Sequence, residues 1–134
     1  MNTLTFDEQV ALLLKDLCAR LPYKVMVHIR YNTKEPCYGE LTPKDIQWFI
    51  DSKIKEIKPY LRPMSSMTKE EKKEAKNNGC IIYWDTSLED KGLIVIASPK
   101  GFDWLNAHHF DYRGLIERRL ALEAPEGMYN VKDK

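Results

Sequence analysis

Two groups of residues in this chain carry side chains capable of chemistry. His108 and His109 stand side by side with Asp111 close behind, residue types that bind metals or move protons. Their spacing works against a shared ion, because adjacent helical positions point about 100° apart, whereas a helical chelate uses positions i and i+4. One ring is then expected to cap or pack a helical corner and the other to face solvent. Cys37 or Cys80 could act as a nucleophile with His28 or His109 as its base. Yet Cys80-Ile81-Ile82 reads as the start of a buried strand, where cysteine behaves as a small apolar residue, and His28 reads as a polar-face strand residue. The chain contains no GxSxG, no glycine-rich phosphate loop and no HExxH, so no catalytic, cofactor-binding or metal-binding residue is assigned and a non-enzymatic protein is expected.

Binding chemistry is better represented. Residues 99–108 and 112–119 have the outline of two short helices joined by a three-residue corner, as in a helix-turn-helix. The second helix would show Arg113, Glu117 and Arg118 outward, and arginines so placed can read guanine edges. Residues 53–76 carry eight cations against four glutamates, a segment that could meet phosphates in a salt-dependent way. Against this reading, the corner has no glycine, residues 101–129 carry three arginines against five acids, and the lysines alternate with glutamates as on a solvated helix. Trp104, Tyr112 and Tyr129, with Trp48 or Trp84, suggest instead an aromatic protein-contact surface, since tryptophan, tyrosine and arginine dominate interface hot spots. The candidate contact surface is therefore Trp104, His108, His109, Tyr112, Arg113 and Arg118.

The elements that must position these residues belong to one domain of 134 residues, a length that buries a core without staples. Apolar residues make up 43% and charged residues 31% of the chain, which excludes wholesale disorder. Twenty-one cations against twenty acids leave no overall field to attract nucleic acid or an anionic bilayer. No apolar run approaches the roughly 18 residues of a membrane helix. The acidic start Asp7-Glu8 is unlike a signal peptide, so a cytoplasmic protein with no membrane partner is expected. Cys18, Cys37 and Cys80 are widely spaced and odd in number, which signals reduced thiols, not a disulfide framework or a zinc site.

Thr5-Phe6-Asp7-Glu8 is a capping box. It opens an amphipathic helix over Phe6–Arg20 with Phe6, Val10, Leu13, Leu14, Leu17 and Leu21 on one face, stopped by Pro22. Residues 24–31 alternate as a half-buried strand, Val25, Val27, Ile29 and Tyr31 against Met26, His28 and Arg30. Residues 37–41 and 46–50 read as two further strands around a turn at Thr42-Pro43-Lys44-Asp45. The alternative is a helix capped by Thr42 and started by Pro43, because Ile46, Phe49, Ile50, Ile54 and Ile57 also fit helical spacing. Pro59 and Pro63 predict an extended crossing segment. Thr68-Lys69-Glu70-Glu71 opens a helix so polar that residues 59–79 are expected to be partly mobile. Residues 80–84 and 92–97 predict a hairpin with a polar loop that completes the sheet, and Ser98-Pro99 starts a helix. Residues 125–134 are expected to fray. The sum is an α+β domain: an N-terminal amphipathic helix on a mainly antiparallel sheet of four or five short strands, closed by two short C-terminal helices.

Two stretches, KPYLRPMSSMTKEE at 58–71 and residues 104–129, especially HHFDYRGLIE at 108–117, resemble a group of short proteins of gut anaerobic bacteria, their prophages and other mobile elements. The resemblance covers about the second half of the chain, and Arg119 stands where relatives carry glycine. The group has no assigned activity, so the resemblance transfers no site residue. What it implies is an accessory or adaptor protein of prophage type. Together with the absence of a catalytic constellation, this predicts a protein that binds another protein, with a DNA-binding accessory factor using helix 112–119 as the alternative.

Overall fold

A computed structural model describes residues 5–32, 35–84 and 93–129. Helix α1, Phe6–Arg20, begins at the expected capping box: the Thr5 hydroxyl accepts from the Glu8 amide at 3.1 Å while the Glu8 carboxylate accepts from the Thr5 amide at 2.9 Å. Its buried face is Leu13, Asp16, Leu17 and Arg20, and Phe6, expected on that face, is 77% exposed. Strand β1, Met26–Tyr31, alternates as expected, with Val27 and Ile29 buried. It pairs antiparallel with β2, Cys37–Glu40.

Residues 46–50 are not a strand. Thr42 and Asp45 form a second capping box, with Pro43 in the first turn, and open helix α2, Pro43–Ile50. The reciprocal side-chain bonds satisfy two amides that a turn would leave to solvent, and proline at the first helical position sacrifices no intrahelical bond. Strand β3, Ile54–Leu61, follows and pairs antiparallel with β1. The segment expected to cross over thus contains the end of a central strand. Pro59 is buried there, opposite Val27. The parallel ladder to the two-residue β6, Leu122–Glu123, begins only at Tyr60. At residue 59, therefore, β3 is an edge strand on that side, the setting in which proline is tolerated. The sheet order is β2-β1-β3-β6.

Helix α3, Lys69–Asn77, starts at its expected capping box. Strands β4, Cys80–Trp84, and β5, Leu93–Ala97, form the expected antiparallel hairpin. The hairpin is a separate two-stranded sheet and does not complete the first; the expected loop at 85–91 lies outside the described residues. Helix α4, Pro99–Ala107, is capped by Ser98, whose hydroxyl accepts from the Gly101 amide at 3.1 Å. Gly101 lets α4 lie on the hairpin, because a Cβ there would meet the Ala97 Cβ, the Cys80 Sγ and the Gly79 carbonyl, each at 3.0 Å.

The second C-terminal helix is absent. Residues 112–119 form successive turns in which Gly114 and Arg119 hold positive φ values of 73° and 62°, and a right-handed helix cannot run through such residues. Tyr129 is tied back into the fold, its hydroxyl accepting from the Met26 amide at 2.8 Å and donating to the Tyr60 carbonyl at 2.7 Å. Residues 130–134 lie outside the described residues.

The architecture is α+β, and its apolar interior falls into two clusters. One gathers Leu13, Leu17, Val27, Ile57, Leu61 and Leu115 beneath α1 and the four-stranded sheet. The other gathers Met67, Ala75, Cys80, Trp104, Leu105 and Phe110 between α3, α4 and the hairpin.

Candidate functional site

Residues 58–71 and 104–117 meet where these clusters join. The Arg62 amide donates to the His109 carbonyl at 2.8 Å and the Asp111 amide to the Arg62 carbonyl at 2.9 Å, which makes a parallel bridge between Arg62 and Phe110. Arg62 is buried with its guanidinium 4.1 Å from the centre of the Phe110 ring. It grips Glu71 with two hydrogen bonds of 2.9 and 2.7 Å, the forked geometry in which arginine binds a carboxylate most strongly. Burial alone would raise the Glu71 carboxyl, but hydrogen bonds from Arg62 and from the Thr68 amide, with the Arg62 charge, bring it below its ordinary value. Helix α3, expected to be loosely held for want of apolar residues, is anchored by this pair.

Across the join, a second ionic group ties α1 to the loop after α4. Asp16 and Arg20 are both fully buried. The Arg20 Nε donates to Asp16 at 2.9 Å and its Nη2 donates to the Phe110 carbonyl at 2.6 Å. Arg113 donates to the other Asp16 oxygen at 2.6 Å, and both guanidiniums lie over the Tyr112 ring, at 5.3 and 4.8 Å. Asp111 folds the loop on itself by accepting from the Leu115 and Ile116 amides at 2.8 and 3.0 Å. Its carboxyl is pushed up by burial, against the opposing pull of these two amides and of Arg20.

The residues expected at a contact surface are mostly interior. Trp104 and His109 are buried, His108, Tyr112 and Arg113 are half-buried, and Arg118 is exposed. Trp104 stacks on Phe110 at 5.8 Å and on His108 at 4.2 Å. His109 stacks instead on Tyr129 at 3.8 Å, so the two histidines serve different neighbours, as adjacent positions should. Neither ring is a solvent-facing residue. Tyr112 donates to buried Asn106 at 2.9 Å. Five of these six residues line the join, and Arg118 alone of the six is exposed. The DNA reading loses its helix, and Arg113 is committed to Asp16.

The thiol chemistry is equally constrained. Cys37 pairs with Ile29 in register while His28 pairs with Tyr38, which puts Cys37 and His28 on opposite faces of the sheet. Cys80 is buried, lies 3.3 Å from the Gly101 carbonyl and has its thiol pushed up by burial, the opposite of an activated nucleophile. Burial also pushes the Tyr129 phenol up to about 12, against the pull of the Met26 amide and Arg20. No group of three His, Cys, Asp or Glu side chains among the described residues could hold a metal ion. None of the described helices is long and apolar enough to cross a membrane.

What sequence reasoning missed is the outer face of the hairpin. Ile81 and Ile96 lie directly opposite each other on β4 and β5 and are 58% and 54% exposed. Strand alternation explains the pattern, since Cys80, Ile82, Val95 and Ala97 face the second cluster and the intervening positions must face away. The signal in the sequence was an apolar run without polar alternation, which reads equally as a strand covered on both faces. No protein-family profile, no curated protein and no solved structure matches the chain.

Proposed function

We propose that this chain is a non-enzymatic adaptor, an accessory protein of the prophage or mobile-element kind that the sequence resemblance implies, and that it holds a protein partner on the outer face of the β4–β5 hairpin. The observation that supports this reading is the exposed cross-strand pair Ile81 and Ile96. Two large aliphatic side chains face each other on a strand pair with more than half of each in water, and burying the exposed part against a partner would contribute about 1 kcal/mol each. Among the described residues the hairpin pairs with no further strand. A partner can therefore also add a strand beside it, main-chain bonds supplying affinity and the isoleucines specificity. The hairpin has a firm base in the close packing of α4 on its inner face through Gly101 and Cys80.

The test is a pull-down from lysate of the native cell with and without nuclease treatment, with the wild type beside an Ile81→Lys/Ile96→Lys variant that keeps its circular dichroism and melting temperature. The expected outcome is a discrete protein held by the wild type and released by the variant. Retention that ignores the two lysines removes the hairpin from the reading. Retention that disappears with nuclease replaces the adaptor with a nucleic-acid binder.

A further inference from the structure

We propose that His108 is a pH-sensitive latch between α4 and α3, closed when its imidazole is protonated above Trp104 and against Glu74. Helix α3 buries only Glu71 and Ala75, so its attachment depends on polar contacts more than on apolar area. Two of these contacts converge on one oxygen. The Trp104 indole N–H donates to the Glu74 Oε1 at 2.9 Å, and the His108 Nε2 lies 3.5 Å from the same atom. The imidazole lies over the indole with centroids 4.2 Å apart and planes inclined by 31°. A proton on His108 turns the 3.5 Å approach into an ion pair and the stacking into a cation–π contact, for which tryptophan is the best partner.

The charges around the ring favour that proton. Glu71 and Glu74 face it from α3; from the end of β3 comes Arg62, whose Nη1 donates to the His108 carbonyl at 3.4 Å and whose charge is matched by Glu71. Two carboxylates and one guanidinium leave an excess negative charge that imidazolium cancels. His108 also caps the C-terminus of α4, its amide donating to the Trp104 and Asn106 carbonyls, and a cation is favoured at that end of a helix dipole. Burial opposes the proton, since the side chain is only 11% exposed. With the carboxylates prevailing, the folded protein holds the proton more tightly than the unfolded chain. The latch is then fully closed below the ordinary histidine range, near about 6.5, and opens as pH rises through the folded protein's own titration.

A double-mutant cycle tests this. Glu74→Gln removes the charge and keeps an oxygen for the indole, and His108→Gln removes the titration. Urea unfolding of the four proteins at about pH 5.5 and about pH 8, on either side of the histidine range, yields the coupling between the two residues. The expected coupling is a factor of about 3–10 in the unfolding equilibrium constant at the lower pH and close to one at the higher. Equal coupling at both pH values, or none at the lower, overturns the latch. Should His108→Gln fail to fold, the indole N–H resonance of Trp104 decides. In the wild type it should titrate with a histidine-like midpoint that moves down in Glu74→Gln; a flat trace or an unmoved midpoint overturns the proposal.

Discussion

Arg119 holds a left-handed backbone with φ 62° and an exposed side chain. A residue with a Cβ strains in that region and glycine does not. The Arg119 amide still closes a turn to the Ile116 carbonyl at 3.0 Å, so the turn forms in spite of the side chain. Arg119→Gly is expected to stabilise the protein by up to about 1 kcal/mol, the relief of strain being partly offset by the greater freedom of glycine in the unfolded chain. Urea denaturation of the two proteins would show it as a higher midpoint with an unchanged slope. A lower midpoint would mean that the arginine makes a contact worth more than the strain. The loop before Arg119 shows why the apolar spacing of Tyr112, Leu115, Ile116 and Leu120 misleads. Their three-to-four spacing is helical in sequence, but Asp111 takes the Leu115 and Ile116 amides and Gly114 turns left-handed, so the spacing is realised as turns that bury Leu115.

Among the elements, what was legible in the sequence is what local chemistry specifies. The capping boxes at Thr5 and Thr68 and the Ser98-Pro99 start each open a helix at the expected residue, because a cap is satisfied within four residues and needs no tertiary help. The strand β3 was illegible for a physical reason. Its ladder with β1 runs from Arg30 opposite Glu56 to Tyr31 opposite Ile54, leaving Lys55 as an extra residue. That bulge sets Ile54 and Ile57 three apart, a helical interval, although Ile57, Pro59 and Leu61 alternate cleanly beyond it. Helix α3 was legible as a helix but not as an anchored one, since its hold comes from Arg62 on another element. This attachment carries a pH dependence. The Glu71 carboxyl lies below its ordinary value in the fold, so the unfolded chain takes up a proton first as pH falls. The pair contributes its full stability above the unfolded carboxyl range, about 4.3, and loses it as pH falls through the lower folded value. Glu71→Gln should therefore destabilise at neutral pH by about 3–5 kcal/mol, since it leaves Arg62 buried and unmatched. The difference from wild type should narrow in acid. Thermal melts across that range check it, and a gap that stays constant or widens in acid would place the stabilisation elsewhere.

At the scale of the whole molecule, two apolar clusters are made into one folding unit by a polar join whose buried ion pairs local sequence patterns do not report. Asp16 and Arg20 were legible in principle, because they fall at the third and seventh positions after Leu13 and so on its face of α1. Charged residues on an apolar helical face are usually overlooked, since burying them is costly unless each meets a partner. Asp16 and Arg20 meet each other four residues apart, but Asp16 also binds Arg113, 97 residues away, a separation that no local pattern reports. The join suggests a test of cooperativity. Trp48 packs against the first cluster and Trp104 belongs to the second, so each indole reports on one side. In the wild type their resonances should fade at the same urea concentration, as in a two-state transition. Asp16→Asn leaves Arg20 buried without its counter-charge and releases Arg113, which should cost about 3–5 kcal/mol. If the ionic group is what couples the clusters, the two indoles should then unfold at different midpoints, with Trp104 in the cluster that lacks the four-stranded sheet going first. Replacing the ions by apolar residues, as in Asp16→Leu with Arg20→Met, should recover much of the lost stability by removing the unmatched charge. Coincident midpoints in Asp16→Asn would instead assign the coupling to the backbone bridge between Arg62 and Phe110, which none of these substitutions touches.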